Sequence, residues 1–157
     1  MRNQGCKITV SDKGYKALVK RVFEGKPAVI TVGVHAQEGG EQHEGAKITV
    51  LDVANYMEFG TATIPARSFV RAWFDENQAR AQQMLAALMR SVVKGTRSRE
   101  QILELLGQKF VAEIQARISK GIPPPLLPAT IRRKGSSTPL IDTGQLRSSV
   151  TYRVKNG

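Results

Sequence analysis

The stretch that decides the fold is residues 69–120, FVRAWFDENQARAQQMLAALMRSVVKGTRSREQILELLGQKFVAEIQARISK. At 100° per residue, eight apolar side chains fall within an arc of about 120°, which is typical of an amphipathic helix with one buried stripe: Val70, Trp73, Phe74, Ala81, Met84, Leu85, Leu88 and Val92. Gly95 ends this helix, and Ser98 with Gln101 forms the capping-box pattern that opens a second helix running to Lys120. Two helices joined by about five residues predict an antiparallel hairpin.

The first helix of this hairpin has two distinct faces. Trp73 and Leu88 belong to its apolar stripe, so we expect both side chains to be buried. Arg80, Arg90 and Lys94 fall on a flank about 80° wide, which predicts a basic edge beside the stripe.

Shorter periodic stretches precede the hairpin. Ser11 is a plausible N-cap for an amphipathic helix over residues 12–24. Residues 28–35 alternate and are rich in β-branched side chains, which predicts a strand. Residues 37–45 are polar and glycine-rich, which favours a surface loop. Apolar side chains within residues 48–59 repeat at helical spacing, and a glycine follows them, so we predict a helix there. A short strand near residue 48 is the alternative for the start of this stretch.

The end of the chain supplies the last two elements. Asp142 with Gln145 predicts the start of a short helix. Val150 begins an alternating stretch that predicts a final strand, able to pair with residues 28–35 and with a short strand over residues 7–10. The expected fold class is α+β: a small antiparallel sheet packed by helices, with a long helical hairpin and a Pro-rich extended arm.

The Pro-rich arm is residues 121–141, GIPPPLLPATIRRKGSSTPLI. It holds five of the seven prolines and the basic run Arg132, Arg133 and Lys134. A polyproline start predicts an extended, semi-rigid segment that packs poorly within its own subunit. We therefore expect one domain, residues 1–157, with residues 121–141 as an extended loop or arm.

The charge is uneven along the chain. The formal net charge is +11, and residues 61–157 hold 16 basic and 6 acidic side chains. This asymmetry favours nucleic acid, an acidic protein surface or a charged assembly as the partner. The single cysteine, Cys6, and the absence of an apolar leader or a 20-residue apolar run favour an intracellular protein without a membrane segment.

Few residues suggest chemistry. Asp142, Thr143 and Gly144 follow two apolar residues, as in the aspartic protease signature, but only 13 residues follow and no second triplet exists. His43 lies between Glu41 and Glu44 without an established metal-ligand spacing, so an ordinary solvated loop is favoured. The sequence therefore predicts no catalytic residue, no metal and no cofactor.

Sequence-independent nucleic-acid binding remains the alternative function because of the charge. Aromatic residues make up only 6% of the chain, and none alternate with the basic residues as stacking platforms would. The run Arg132, Arg133 and Lys134 could touch phosphate, but a short basic run of this kind is more often a solvated loop.

Two segments together resemble a known family. The first is Asn55-Tyr-Met-Glu-Phe-Gly-Thr61 with Ile64-Pro-Ala-Arg67-Ser-Phe69-Val-Arg71, and the second is Pro139-Leu-Ile-Asp-Thr-Gly-Gln-Leu-Arg147-Ser-Ser-Val-Thr-Tyr152. This pairing resembles the head–tail joining (neck) and tail-completion proteins of long-tailed double-stranded-DNA bacteriophages. The long Pro-rich stretch and the second long helix depart from many members.

The resemblance implies a structural virion protein without catalysis. It implies a homo-oligomeric ring, a hexamer or a dodecamer, stacked between a neck or connector protein and a tail-tube or tail-terminator protein, with genomic DNA passing through its channel. It also implies assembly in the host cytoplasm and no membrane partner. The family-motif and interface candidates are Glu58, Phe59, Gly60, Thr61, Pro65, Arg67, Phe69, Arg71, Arg132, Arg133, Lys134, Asp142, Thr143, Gly144, Leu146 and Arg147.

The residues themselves suggest roles for part of this set. Phe59 and Phe69 are expected to anchor the loop between them to the core. Arg67 and Arg71 flank that loop and are placed to pair with carboxylates of a neighbouring subunit. Pairing or capping within one subunit is the open alternative for Arg67 and Arg147.

Overall fold

The computed structural model describes residues 11–24, 28–42, 47–135 and 144–156. The elements in chain order are α1 (Tyr15–Val22), β1 (Ala28–Val34), α2 (Ala36–Gly39), α3 (Val50–Phe59), α4 (Arg71–Lys94), α5 (Arg99–Lys120), α6 (Pro128–Lys134), α7 (Gln145–Ser148) and β2 (Val150–Asn156). The fold is α+β, as the sequence predicts.

The helical hairpin of α4 and α5 is confirmed. Gly95 adopts the left-handed conformation at the end of α4, with φ of 74°, and its N–H donates to the Val92 carbonyl. The side chain of Ser98 accepts a hydrogen bond from the Gln101 N–H, while the Gln101 side chain accepts one from the Ser98 N–H. This capping box starts α5 where the sequence predicts.

The sheet is an antiparallel pair of β1 and β2 in the described part of the chain. Ile30 lies opposite Val154, Val32 opposite Tyr152 and Val34 opposite Val150. These side chains share one face because successive strand residues alternate sides. The predicted strand over residues 7–10 lies outside the described residues.

The sheet packs closely on α5 at Gly107. A Cβ built on Gly107 would lie 2.3 Å from Cδ2 of Tyr152 and 2.9 Å from Cδ1 of Ile30. The missing side chain therefore lets the helix backbone approach the tyrosine ring.

We expect Gly107→Ala to destabilise the protein by about 2 kcal/mol, although alanine is the better helix former. The added methyl overlaps a ring carbon, so either the ring or the helix must move. Urea unfolding of the Gly107→Ala, Tyr152→Ala and double variants measures this. The clash account predicts that the double variant loses less stability than the two single losses combined. Additive losses, or a stabilised Gly107→Ala protein, contradict it.

Two apolar clusters hold the elements together. The larger one joins α3, α4, α5, α7 and β2 through Val50, Ala54, Phe69, Trp73, Ile114, Ile118, Ile122, Leu146 and Val150. Trp73 is buried, as predicted. The smaller cluster, near the hairpin turn, consists of Val92, Ile102 and Leu106. Leu88 packs against this smaller cluster and is partly buried, so its predicted burial is confirmed only in part.

Several local predictions need correction. Helix α1 begins at Tyr15 and not at residue 12, because Gly14, with φ of 93°, occupies the N-cap. Helix α7 likewise has a glycine at its N-cap, Gly144, with φ of 81°. Asp142, the predicted start of this helix, lies outside the described residues. The loop predicted over residues 37–45 overlaps the helical turn α2.

The Pro-rich arm is not extended throughout. Ile122 is buried in the larger cluster. Pro128 is the first residue of α6, a position that proline favours because its N–H would have no partner there. The arm is therefore tied to the domain at its start and helical over Pro128–Lys134, while residues 136–141 lie outside the described residues.

Candidate functional site

Glu58 is the most highly connected of the family-motif residues. It is buried at the end of α3, where its carboxylate meets the first residues of α4. Its Oε1 accepts hydrogen bonds from the Ser68 hydroxyl at 2.5 Å and the Arg71 N–H at 2.9 Å. Its Oε2 accepts from the N–H groups of Phe69 at 2.8 Å and Val70 at 3.1 Å. One carboxylate thus serves as the N-terminal cap of the long helix.

The protonation of Glu58 follows from these contacts. Burial disfavours the charged carboxylate, but the hydrogen bonds from Ser68 and from the three backbone N–H groups outweigh it. The pKa of Glu58 therefore lies below its ordinary value. Glu58 is ionised at neutral pH and faces the positive end of α4.

Arg67 is the second buried charged residue of this motif. Its Nε donates to the Pro124 carbonyl at 2.8 Å, and its Nη2 donates to the Pro125 carbonyl at 3.3 Å. Its backbone N–H donates to the Met57 carbonyl at 2.6 Å. Of the two alternatives for Arg67, the structure favours the contact within one subunit, because the guanidinium holds the start of the Pro-rich segment.

The loop between Glu58 and Arg67 is a compact turn. The Thr61 N–H donates to the Ile64 carbonyl at 2.8 Å, and the Thr61 hydroxyl accepts from the Ile64 N–H at 3.0 Å. Gly60 has φ of 76°, and a Cβ there would lie 2.9 Å from the Ala66 nitrogen. This position therefore requires glycine. Pro65 is exposed at the outer side of the turn.

The two phenylalanines of this motif lie in different environments. Phe69 is 1% exposed and anchors the loop, as predicted. Phe59 is 65% exposed, so its predicted anchoring role is wrong. The α3 face that carries Phe59 points away from the core, while Ala54 and Glu58 fill the buried face.

Phe59 instead belongs to a solvent-facing group. The guanidinium carbon of Arg71 lies 5.6 Å from the centre of its ring, a cation–π distance. Tyr56, one turn earlier on α3, is 39% exposed, and Phe74, one turn after Arg71 on α4, is 50% exposed. We call Tyr56, Phe59, Arg71 and Phe74 the aromatic patch.

The second family-like segment packs beneath the first. Leu146 and Val150 are buried in the same cluster as Phe69 and Trp73. Arg147 is exposed and donates to the Ser119 hydroxyl at 3.3 Å, so it contacts α5 of its own subunit. Asp142 and Thr143 lie outside the described residues. Two segments about 80 residues apart in sequence thus meet in one core.

The basic run Arg132, Arg133 and Lys134 follows the proline-rich start of the arm. All three residues lie in α6, where Arg132 is exposed. The run is helical and not extended.

An open groove of about 450 Å³ lies between α4, α5 and the Pro-rich segment. Its polar wall is an interlinked set of side chains that sequence reasoning missed. The Glu113 carboxylate accepts from the Trp73 indole N–H at 3.2 Å, and it pairs with Arg80 and with Lys109. The hydrogen bond from Arg80 is the main reason that the pKa of Glu113 lies below its ordinary value. In the sequence, the i,i+4 spacing of Lys109 and Glu113 on one helix was the signal that could have predicted their ion pair.

No candidate metal centre emerges from the described residues, in which no three His, Cys, Asp or Glu side chains are grouped to hold an ion. His43 lies outside them. Among the described helices, none is long and apolar enough to cross a membrane.

Comparison with known proteins does not place the chain in a family. No protein-family model, no curated protein and no solved structure matches it.

Proposed function

We propose that this chain is a structural protein of the neck of a long-tailed double-stranded-DNA phage. Copies of it form a homo-oligomeric ring that joins the head connector to the tail and leaves a channel for DNA. The ring acts through shape and assembly, and its neighbours are a connector or neck protein on one side and a tail-tube or tail-terminator protein on the other.

The observation that carries the proposal is the way the two family-like segments fit together. Glu58 and Arg67 of the first segment fix the start of α4 and of the Pro-rich segment. Leu146 of the second segment is buried in the same apolar cluster as Phe69 of the first. The described residues that carry the resemblance are therefore concentrated in one structural unit, as expected if they specify a shared fold.

The aromatic patch supplies the surface for assembly. It is the outer side of this same unit, and it presents two phenylalanines, a tyrosine and an arginine to solvent. Aromatic residues and arginine are the residues most enriched at protein interfaces and at their energetic centres. We assign the patch to the contact between neighbouring copies in the ring.

We expect Phe59→Ser and Phe74→Ser to weaken ring assembly by at least about tenfold each, because truncating a central interface aromatic commonly costs 2 kcal/mol or more. Sedimentation velocity across a concentration series measures this. Thermal melting of the unassembled chain should change little, since both side chains are at least half exposed.

Phe23→Ser is the matched control. Phe23 is 77% exposed but follows α1, away from α3 and the start of α4. The same substitution there should leave assembly unchanged. Equal loss of assembly in all three variants, or in none, contradicts the assignment of the aromatic patch to the subunit contact.

A further inference from the structure

Five basic residues lie on the segments that meet at the turn of the helical hairpin. Lys20 and Arg21 lie in the last turn of α1, while Lys94, Arg97 and Arg99 lie at the end of α4, in the turn and at the start of α5. We call these five residues the basic cluster. It is distinct from the run over Arg132–Lys134 that the sequence favoured.

Two contacts join α1 to the hairpin turn. The guanidinium of Arg21 lies over Gly95, where a Cβ would be 2.0 Å from its Nη1. The Nη2 of Arg99 donates to the Glu24 carbonyl at 2.8 Å. Residues more than 70 positions apart in sequence are thereby held on one surface, so the charge is concentrated by the fold.

Within the described part of the chain no ion pair joins the cluster to a carboxylate, and of its five residues Arg99 interacts electrostatically with Glu100. The ion pairs there join Arg80 and Lys109 to Glu113 and Arg117 to Glu76, all away from the hairpin turn. The acidic residues near the cluster are Glu24, Glu100 and Glu104, the last of which lines the same surface cavity as Arg97, so three carboxylates face five basic side chains. Lys20, Arg21, Lys94 and Arg97 are all exposed.

The chemistry that fits this surface is a line of phosphates. Exposed lysines and arginines gain affinity from a polyanion by releasing its condensed counterions, which requires no buried apolar anchor. A protruding hairpin turn cannot enclose a single strand, but it can lie along the backbone of a duplex. We propose that the basic cluster binds the phosphate backbone of double-stranded DNA without reading its sequence. This inference does not depend on ring formation, because one subunit carries the whole cluster.

The test compares two triple variants that remove the same charges. Lys20→Gln, Lys94→Gln and Arg97→Gln act on the cluster and spare Arg21, whose side chain packs on Gly95. Lys47→Gln, Lys120→Gln and Lys155→Gln remove three positive charges from exposed positions elsewhere. Both triple variants have the same net charge, so a difference between them reports position alone.

Fluorescence anisotropy with a random-sequence duplex, between about 50 and 200 mM salt, measures binding. The cluster variant should bind at least about tenfold more weakly than the parent, and its plot of log K against log salt should be shallower by about 2 to 3. The control variant should stay within about threefold of the parent, since it keeps the cluster.

Three results would overturn the proposal. The first is an equal loss in both triple variants, which would mean that net charge alone matters. The second is binding to polyglutamate but not to duplex DNA, which would mean an acidic protein partner. The third is preferential binding of a single strand that Phe23→Ser abolishes, which would mean base stacking on the exposed ring beside Arg21.

Discussion

Glu58→Ala is expected to lower the free energy of unfolding by about 3 kcal/mol, because it leaves the start of α4 without its acceptor. The Ser68 hydroxyl and three backbone N–H groups lose their partner together. For a chain of this size the melting temperature should fall by about 6–12 °C. Urea unfolding and thermal melting measure the loss.

Glu104→Ala is the control for this prediction. Glu104 is exposed on α5, so the same substitution should change stability by no more than about 0.5 kcal/mol. A Glu58→Ala protein that unfolds like the control would mean that the carboxylate does not hold the helix start.

Acid should weaken the same cap. Because the pKa of Glu58 is lower in the folded state than its ordinary 4.5, its contribution to stability is complete above that pH and is lost as the pH falls through the folded pKa. Glu58→Gln lacks this titration and should lose less stability than the parent between neutral pH and about pH 3. Asp52, Glu76 and Glu113 also have lowered pKa values, so some acid sensitivity remains in the variant.

Trp73→Ala should cost about 4 kcal/mol, the largest loss that we predict. The indole is buried in the larger cluster, and its ring centre lies 4.9 Å from that of Phe110. Its N–H also donates to Glu113 in the groove. The substitution therefore leaves a cavity and removes a hydrogen bond.

Trp73→Phe helps to separate these two effects, because it removes the indole donor while keeping most of the buried aromatic ring. It should recover at least half of the stability that Trp73→Ala loses. Phe74→Ala, at the next position of the same helix but half exposed, should cost no more than about 1 kcal/mol. If Trp73→Ala and Phe74→Ala unfold alike, the predicted packing of α4 is incorrect.

The helical hairpin was predictable because its signals are local. The apolar period of residues 69–120, the Gly95 stop and the Ser98 capping box all lie within a few residues of the structure that they specify. The alternation of side chains along residues 28–35 and from Val150 onward was equally informative. These two stretches form β1 and β2, which pair with each other. The burial of Trp73 was predictable from the apolar stripe of α4. The partial exposure of Leu88 was not, because it depends on the small cluster of three buried residues against which that side chain packs.

The contacts of the candidate site were not predictable, because they join distant positions. The four bonds to Glu58 cross a loop of about ten residues, and Arg67 binds carbonyls more than 55 residues away. No periodicity marks such pairs. The exposure of Phe59 was not predictable for a similar reason. Nothing in the sequence indicates that this apolar residue faces solvent while the neighbouring Glu58 is buried.

The central claim is that copies of this chain close into a ring through the aromatic patch. Averaged electron cryo-microscopy images of the purified full chain at high concentration test it most directly. The account predicts closed rings with an open centre, in which Phe59 and Phe74 lie at the contact between neighbouring copies. Monomers at every concentration, or rings in which the aromatic patch faces solvent, would contradict it.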